Sequence, residues 1–214
     1  MSLVLDDVSL ATPQRTLLRG LSARVAPGEV LAVMGESGSG KSSLLGFIAG
    51  TLPEGLVGRG RVTLDGHDLV GRPAVERRVG LLFQDDLLFP HMTVHENLLF
   101  ALPAGGTRAQ RLAAAEAALR QAGLEGFGTR RPASLSGGQR ARVSVLRALL
   151  AEPQALLLDE PFSRLDMALR ERFRSFVFER IAERRIPALL VTHDVHDVPP
   201  GARCIELHAE DGDA

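Results

Sequence analysis

Short apolar runs bounded by turn residues dominate the first third of the chain. Residues 3–5, 28–34 (GEVLAVM) and 61–64 read as strands, the last closed by the turn Asp65-Gly66. The second run feeds straight into GESGSGKSS and then into SLLGFIAG, whose pattern predicts an apolar helix stopped by Gly50. Strand, glycine loop and helix in that order make the βα unit of a parallel sheet. From about residue 87 to 150 the pattern turns helical. Thr107 is placed to cap an alanine-rich helix ending at Gly123, and residues 140–151 read as another helix, closed by Pro153. Two continuous apolar runs follow, 155–158 and 188–192, the pattern of buried parallel strands. A helical lobe inserted into an α/β core is the expectation, with the short acidic tail HAEDGDA fraying.

Composition narrows the class. With 214 residues the chain is one large domain, or one domain carrying an inserted lobe. Hydrophobic residues make up 45% and charged residues 24%, which excludes a largely disordered chain. A net charge of −1 gives no global electrostatic case for nucleic acid or an anionic membrane. The start carries acids where an export signal carries positive charge. No run approaches the roughly 18–20 apolar residues that span a bilayer. A cytoplasmic protein is therefore expected, any membrane role needing a partner with spans. The one cysteine, Cys204, excludes an internal disulfide. Among 25 basic residues a single lysine, Lys41, stands against arginine everywhere else, which marks a place where arginine does not fit.

Lys41 lies in the candidate chemistry. Gly35, Glu36, Ser37, Gly38, Ser39, Gly40, Lys41 and Ser42 match G-x-x-x-x-G-K-[ST] without a mismatch, and Ser43 follows. Glycines let backbone N–H groups turn towards phosphate oxygens, and the following helix aims its N-terminus at the same anion. Lys41 adds a compact charge for the β- and γ-phosphates, and Ser42 offers a hydroxyl to Mg²⁺. Glu36 puts an acid in a loop built for anions; it either points to solvent or weakens binding. Further on, ALLLDE places Asp159 and Glu160 at the C-terminal end of a buried strand, where open α/β sheets hold ligands. Asp159 is the candidate Mg²⁺ ligand and Glu160 the candidate base for the water that attacks the γ-phosphate.

LSGGQ at residues 135–139, upstream of that strand and opening a helix, is similar to the signature of ABC-type ATPases. Three marks agree: Gln84 at the end of GLLFQ resembles the Q-loop glutamine, SRLD ending in Asp166 the D-loop, and His193 after ALLVT the switch histidine. The likeness runs through the whole chain and is nearest to the short importer ATPases of the Ynj and thiamine-transporter type. It implies an α/β P-loop NTPase fold of ABC-ATPase type: a mixed-sheet core with an antiparallel β subdomain (1–86 and 151–208) and an inserted helical lobe (about 87–150). It implies ATP and Mg²⁺ as cofactors, with Gln84 joining Ser42 and Asp159 at the metal. It also implies a head-to-tail homodimer in which Ser136, Gly137, Gly138 and Gln139 of one copy complete the site on the other. Glu160, His193 and Lys41 are its implied catalytic set. Two membrane permease subunits and a periplasmic solute-binding protein are the implied partners, with the chain peripheral on the cytoplasmic face of the inner membrane and no nucleic acid bound.

Departures and rival readings set the limits. Relatives place an adenine-stacking aromatic near Thr12, yet this chain has no Trp, no Tyr and no Phe before Phe47, so weaker adenine contact and looser base selectivity are expected. The sequence continues only briefly past His193, so no built-in regulatory ligand site in a C-terminal domain is expected. His67, His91, His95, His196 and His208 show no metal spacing and read as surface residues. Arg140, Arg142 and Arg147 read as a solvated face or lobe salt bridges. The alternative is a non-transport ABC ATPase acting on another macromolecule. Long coiled coils or two cassettes in one chain, the marks of such relatives, do not occur. A P-loop kinase gives no reason for LSGGQ. A module without turnover gives none for Lys41, Asp159 and Glu160 together.

Overall fold

The computed structural model describes residues 1–36, 38–83 and 85–207. Ser37, Gln84 and His208 lie outside the described residues. Four strands form one sheet: β1 (Leu3–Ala11), β2 (Thr16–Val25), β4 (Val57–Leu64) and the short β5 (His67–Asp68), in the order β2-β1-β4-β5. The three pairings are antiparallel. A second sheet has the order β6-β7-β8-β3-β9, from β3 (Val30–Gly35), β6 (Val79–Leu82), β7 (Ala155–Asp159), β8 (Ala188–Val191) and β9 (Arg203–Leu207). Here β7 with β8, β8 with β3 and β3 with β9 run parallel.

The predicted strand at 28–34 and the helix after it are present as β3 and α1 (Lys41–Ala49). Gly50 closes α1 in the left-handed conformation. The helix is apolar nearly all round because it is buried on most sides. Leu44, Leu45, Phe47 and Ile48 join one core with Leu3, Leu5 and Val62 of the antiparallel sheet and Leu31, Leu157 and Leu189 of the parallel one. Packing is close enough that a Cβ on Gly58 of β4 would stand 2.3 Å from the Phe47 ring. Burying Phe47 thus demands glycine opposite it. The buried Arg77 guanidinium donates to the Phe47 and Ile48 carbonyls at 2.7 and 3.0 Å, satisfying the end of α1.

The chain divides into two compact units. The first holds both sheets and α1: Met1–Leu81, Gln154–Glu160 and the chain from Ile181 onward. The second, Leu82–Pro153 with Pro161–Arg180, holds α2 (Val94–Ala101), α3 (Arg108–Gln121), α4 (Gly137–Leu150) and most of α5 (Met167–Glu183). Each of α2, α3 and α4 begins with a capping box, at Thr93, Thr107 and Ser136. Thr107 caps the alanine-rich helix as its position predicts. In α5, Phe173, Val177 and Ile181 recur every four residues and are buried.

Two readings of single residues are corrected. Arg142 is neither solvated nor ion-paired on the surface: it is buried and donates to the Ala122 carbonyl at 2.6 Å, closing α3. His95 is half-buried, its Nε2 hydrogen-bonded to Glu116. A Cβ on Gly128 would collide with that ring.

Candidate functional site

The phosphate-loop residues gather at the C-terminal end of β3. Gly35 has φ 146°, and a Cβ there would meet the Leu207 carbonyl at 2.2 Å, so only glycine lets the strand leave the sheet here. Gly40 is the N-cap of α1 at φ 86°. It offers no side-chain cap, and the first turn of α1 has no acid. Among the described residues no side chain caps this helix start, so its amides can serve an outside anion, whereas α2, α3 and α4 each close a capping box that satisfies two of theirs. Lys41 is 8% exposed, and its Nζ donates to the Gly35 and Glu36 carbonyls at 2.8 and 2.6 Å and to Ser39 Oγ at 3.4 Å. Glu36 serves through its backbone while its side chain is exposed. The acid thus points to solvent, the first of the two outcomes set out for it.

Asp159 and Glu160 end β7. Asp159 is buried, and its carboxyl accepts a hydrogen bond from Ser42. Burial pushes its pKa above the ordinary aspartate value and the Glu160 charge adds to the rise; the Ser42 hydroxyl and the Lys41 ammonium oppose it. Glu160 stands at φ 46°, a backbone region unusual for a branched or long side chain and costing about 1–3 kcal/mol. Its amide donates to the Val191 carbonyl of β8 at 2.9 Å. Glu160 Oε1 lies 2.9 Å from His193 Nδ1, across 33 residues of sequence. His193 is 64% exposed and Glu160 20%, so the pair faces outward.

The raised pKa of Asp159 carries a stability consequence. The folded protein favours the protonated acid, so that contribution is complete below the unfolded pKa, near about 4, and is lost as pH rises through the higher folded value. Asp159→Asn is therefore expected to raise the melting temperature of the nucleotide-free, metal-free protein at neutral pH. The gain shrinks as the pH falls towards about 4. Thermal melts across pH check this; an Asn variant that melts lower at neutral pH contradicts it.

Sequence reasoning missed three supporting residues. Thr192 Oγ1 donates to Asp197 Oδ2 at 3.0 Å, both buried, bracing the turn that carries His193. Nothing in the local pattern marks Asp197, whose role depends on the turn. Thr12, the expected base-contact position, is committed to its own hairpin: its hydroxyl accepts from the Gln14 and Arg15 amides. Arg15 reaches from that hairpin to donate to the Gly38 carbonyl at 3.4 Å, bringing a cation to the phosphate loop.

In the second unit, Ser136 is exposed and begins α4. Its hydroxyl accepts from the Gln139 amide while the Gln139 side chain accepts from the Ser136 amide. That exchange leaves the Gly137 and Gly138 amides and the Ser136 hydroxyl proton for other partners. A Cβ on Gly138 would press on Leu165 and the Arg164 carbonyl at 3.0 and 3.1 Å. Asp166 caps α5, accepting from the Leu169 amide at 3.1 Å. Among the described residues no cluster of three or more His, Cys, Asp or Glu is arranged to hold a metal. Ser42 with Asp159 offers two hard oxygens, which suits Mg²⁺, a cation that keeps waters and takes further ligands from substrate phosphates.

Comparison with known proteins gives a consistent result. The family model described as ABC transporter matches residues 18–163. The chain is 46% identical to an uncharacterized ABC transporter ATP-binding protein, YnjD of Escherichia coli, over 96% of this chain and 94% of that protein. It is 42% identical to the Fe(3+) ions import ATP-binding protein FbpC of Brucella abortus and 40% identical to the sulfate/thiosulfate import ATP-binding protein CysA of Gloeobacter violaceus. It covers 90% and 91% of its own length in those two matches but spans only 54% and 56% of theirs. Among solved structures, a dimeric post-hydrolysis state of the ATP-binding cassette MJ0796 bound to ADP and Pi superposes with a TM-score of 0.84 at 28% identity, over 98% of this chain and 97% of that one.

Proposed function

The chain belongs to the ABC transporter family, and from that premise we propose that it binds and hydrolyses ATP to energise a bacterial importer of a small solute. The observation that carries this reading is the open, glycine-capped start of α1, with Lys41 at its base and Asp159, Glu160 and His193 on the neighbouring strand ends. The α1 amides and Lys41 bind the β- and γ-phosphates. Ser42 and Asp159 hold Mg²⁺, with Gln84 as a further ligand. When bound, this cation neutralises charge on the transferred phosphoryl oxygens. Glu160 accepts a proton from the attacking water, ADP and phosphate leave, and His193 both orients Glu160 and faces the γ-phosphate.

Two copies act together. Residues 1–86 and 151–208 serve as the nucleotide core and about 87–150 as the signature lobe. Ser136, Gly137, Gly138 and Gln139 of one copy cover the triphosphate on the other, with Asp166 at the seam. The matching dimeric cassette supports this pairing. The import relatives support a chain that works on the cytoplasmic face of the inner membrane, with two permease subunits and a periplasmic solute-binding protein. Among the described residues no helix is long and apolar enough to cross a membrane. The permease docks at the segment from Leu87 to Phe100. Val94 and Leu98 there are core, but Leu87 and Phe100 are 56% and 66% exposed, and the Phe100 ring stacks edge-on against Phe89.

Shared sites give a direct test. Lys41→Ala and Ser136→Arg are each expected to abolish ATPase activity alone. Mixed in equal amounts they regain about a quarter of the wild-type rate, because half of the dimers are mixed and each mixed dimer has one intact site. A mixture as inactive as its parts overturns the shared-site reading.

A further inference from the structure

Residues 85–87, the signature turn and the turn before α5 are tied together by one carboxylate. Asp86 is buried apart from 10% of its side chain, and its Oδ2 receives Arg140 Nε at 3.1 Å and Arg164 Nη1 at 3.2 Å. Each arginine carries the tie onward. Arg140 Nη1 donates to the Leu135 carbonyl at 2.7 Å, the residue that enters the Ser136 cap. Arg164 reaches the exposed Asp85 at 3.0 Å through its other nitrogen, and its backbone carbonyl packs on Gly138. The backbone of the same acidic segment is gripped from α4 as well. Ser144 Oγ donates to the Asp86 carbonyl at 2.8 Å and Arg147 to the Leu87 carbonyl at 2.9 Å. Leu87 sits at φ 43°, so the segment leaves this grip through a strained residue.

The shared carboxylate is nearly buried while its two arginines are 34% and 37% exposed, and a cluster of this kind adds little net stability. Its use lies in holding charged groups to one geometry. We propose that Asp86 is a positioning residue: held between Arg140 and Arg164, it fixes the signature turn and the turn before α5 as one surface that meets the triphosphate on a second copy of the chain. Replacing the shared anion with a neutral amide leaves two guanidiniums facing each other, with the 81%-exposed Asp85 a weak offset. The turn that presents Ser136, Gly137 and Gly138 then loses its fixed orientation, while the phosphate loop, which belongs to the other compact unit, keeps its own contacts. The inference rests on the proposal that two copies share ATP.

The test separates the two. In a Glu160→Gln background, the ATP concentration that half-converts the protein to dimer is measured by sedimentation, and ADP affinity is measured on the same samples. Asp86→Asn is expected to raise the ATP midpoint by about tenfold or more with ADP affinity within about twofold of the parent. Arg164→Ala, a half-exposed and mild change, shifts it by about threefold, and Asp86→Glu, which keeps the charge, restores part of the loss. An unchanged midpoint in both Asp86→Asn and Arg164→Ala overturns the positioning role. So does a parallel loss of ADP affinity, which marks a general structural fault. A parent Glu160→Gln protein that never dimerises with ATP overturns the shared-site reading and this inference with it.

Discussion

Glu160→Gln is expected to bring steady-state phosphate release down by about 10²–10⁴-fold while leaving ATP binding intact and accumulating an ATP-loaded dimer. The substitution keeps the size of the side chain and a carbonyl oxygen opposite His193 Nδ1, now 2.9 Å away, so the geometry survives and only proton acceptance is lost. The left-handed backbone at residue 160 is held by the hydrogen bond its amide donates to the Val191 carbonyl, which glutamine retains. A second effect works in the same direction. The Glu160 charge is one of the causes that raise the pKa of Asp159, so removing it lets Asp159 ionise more readily and grip a divalent cation more tightly. Phosphate-release assays and sedimentation with Mg-ATP read both parts. Turnover near wild type removes Glu160 from the role of base.

Lys41→Ala is expected to weaken ATP binding by about 10²–10⁴-fold, the scale of losing a buried charge partner worth about 3–5 kcal/mol. Two contributions add. The phosphates lose a compact cation, and the loop loses the ammonium that holds the Gly35 and Glu36 carbonyls together at 2.8 and 2.6 Å. Lys41→Arg is expected to rescue little. A wide planar fork does not fit a position that is 8% exposed and ringed by loop carbonyls, which accounts for a lysine surviving among arginines. Calorimetric titration with ATP checks both variants, and unchanged affinity in Lys41→Ala refutes the phosphate role.

Much of the site was legible because its chemistry is written in contiguous residues. The loop from Gly35 to Ser42 owes its form to glycines at fixed spacing, and Asp159 and Glu160 follow an apolar run whose end is set by the pattern itself. The same holds for α1 with its Gly50 stop and for the Thr107 cap. Less was legible where strands are irregular. β2 interleaves exposed and buried residues without clean alternation, and its pairing with β1 shifts register three times, so no run announces it. β9 is short, with most of its residues exposed at the edge of its sheet. Arg142 and His95 look like surface residues by type, yet one closes a helix and the other meets Glu116.

By itself, the sequence determined which groups are candidates to bind phosphate, hold a cation and take a proton, since loop conformation and strand ends follow from neighbours along the chain. Tertiary structure alone decided which of them meet. Pairing of β7 with β8 puts Asp159 opposite Val191, and so brings Glu160 to His193. Folding also gathers Arg140 and Arg164 on Asp86, from 54 and 78 residues away. Register between strands and packing between helices are set by burial summed over the whole core, and no local stretch of sequence carries that sum.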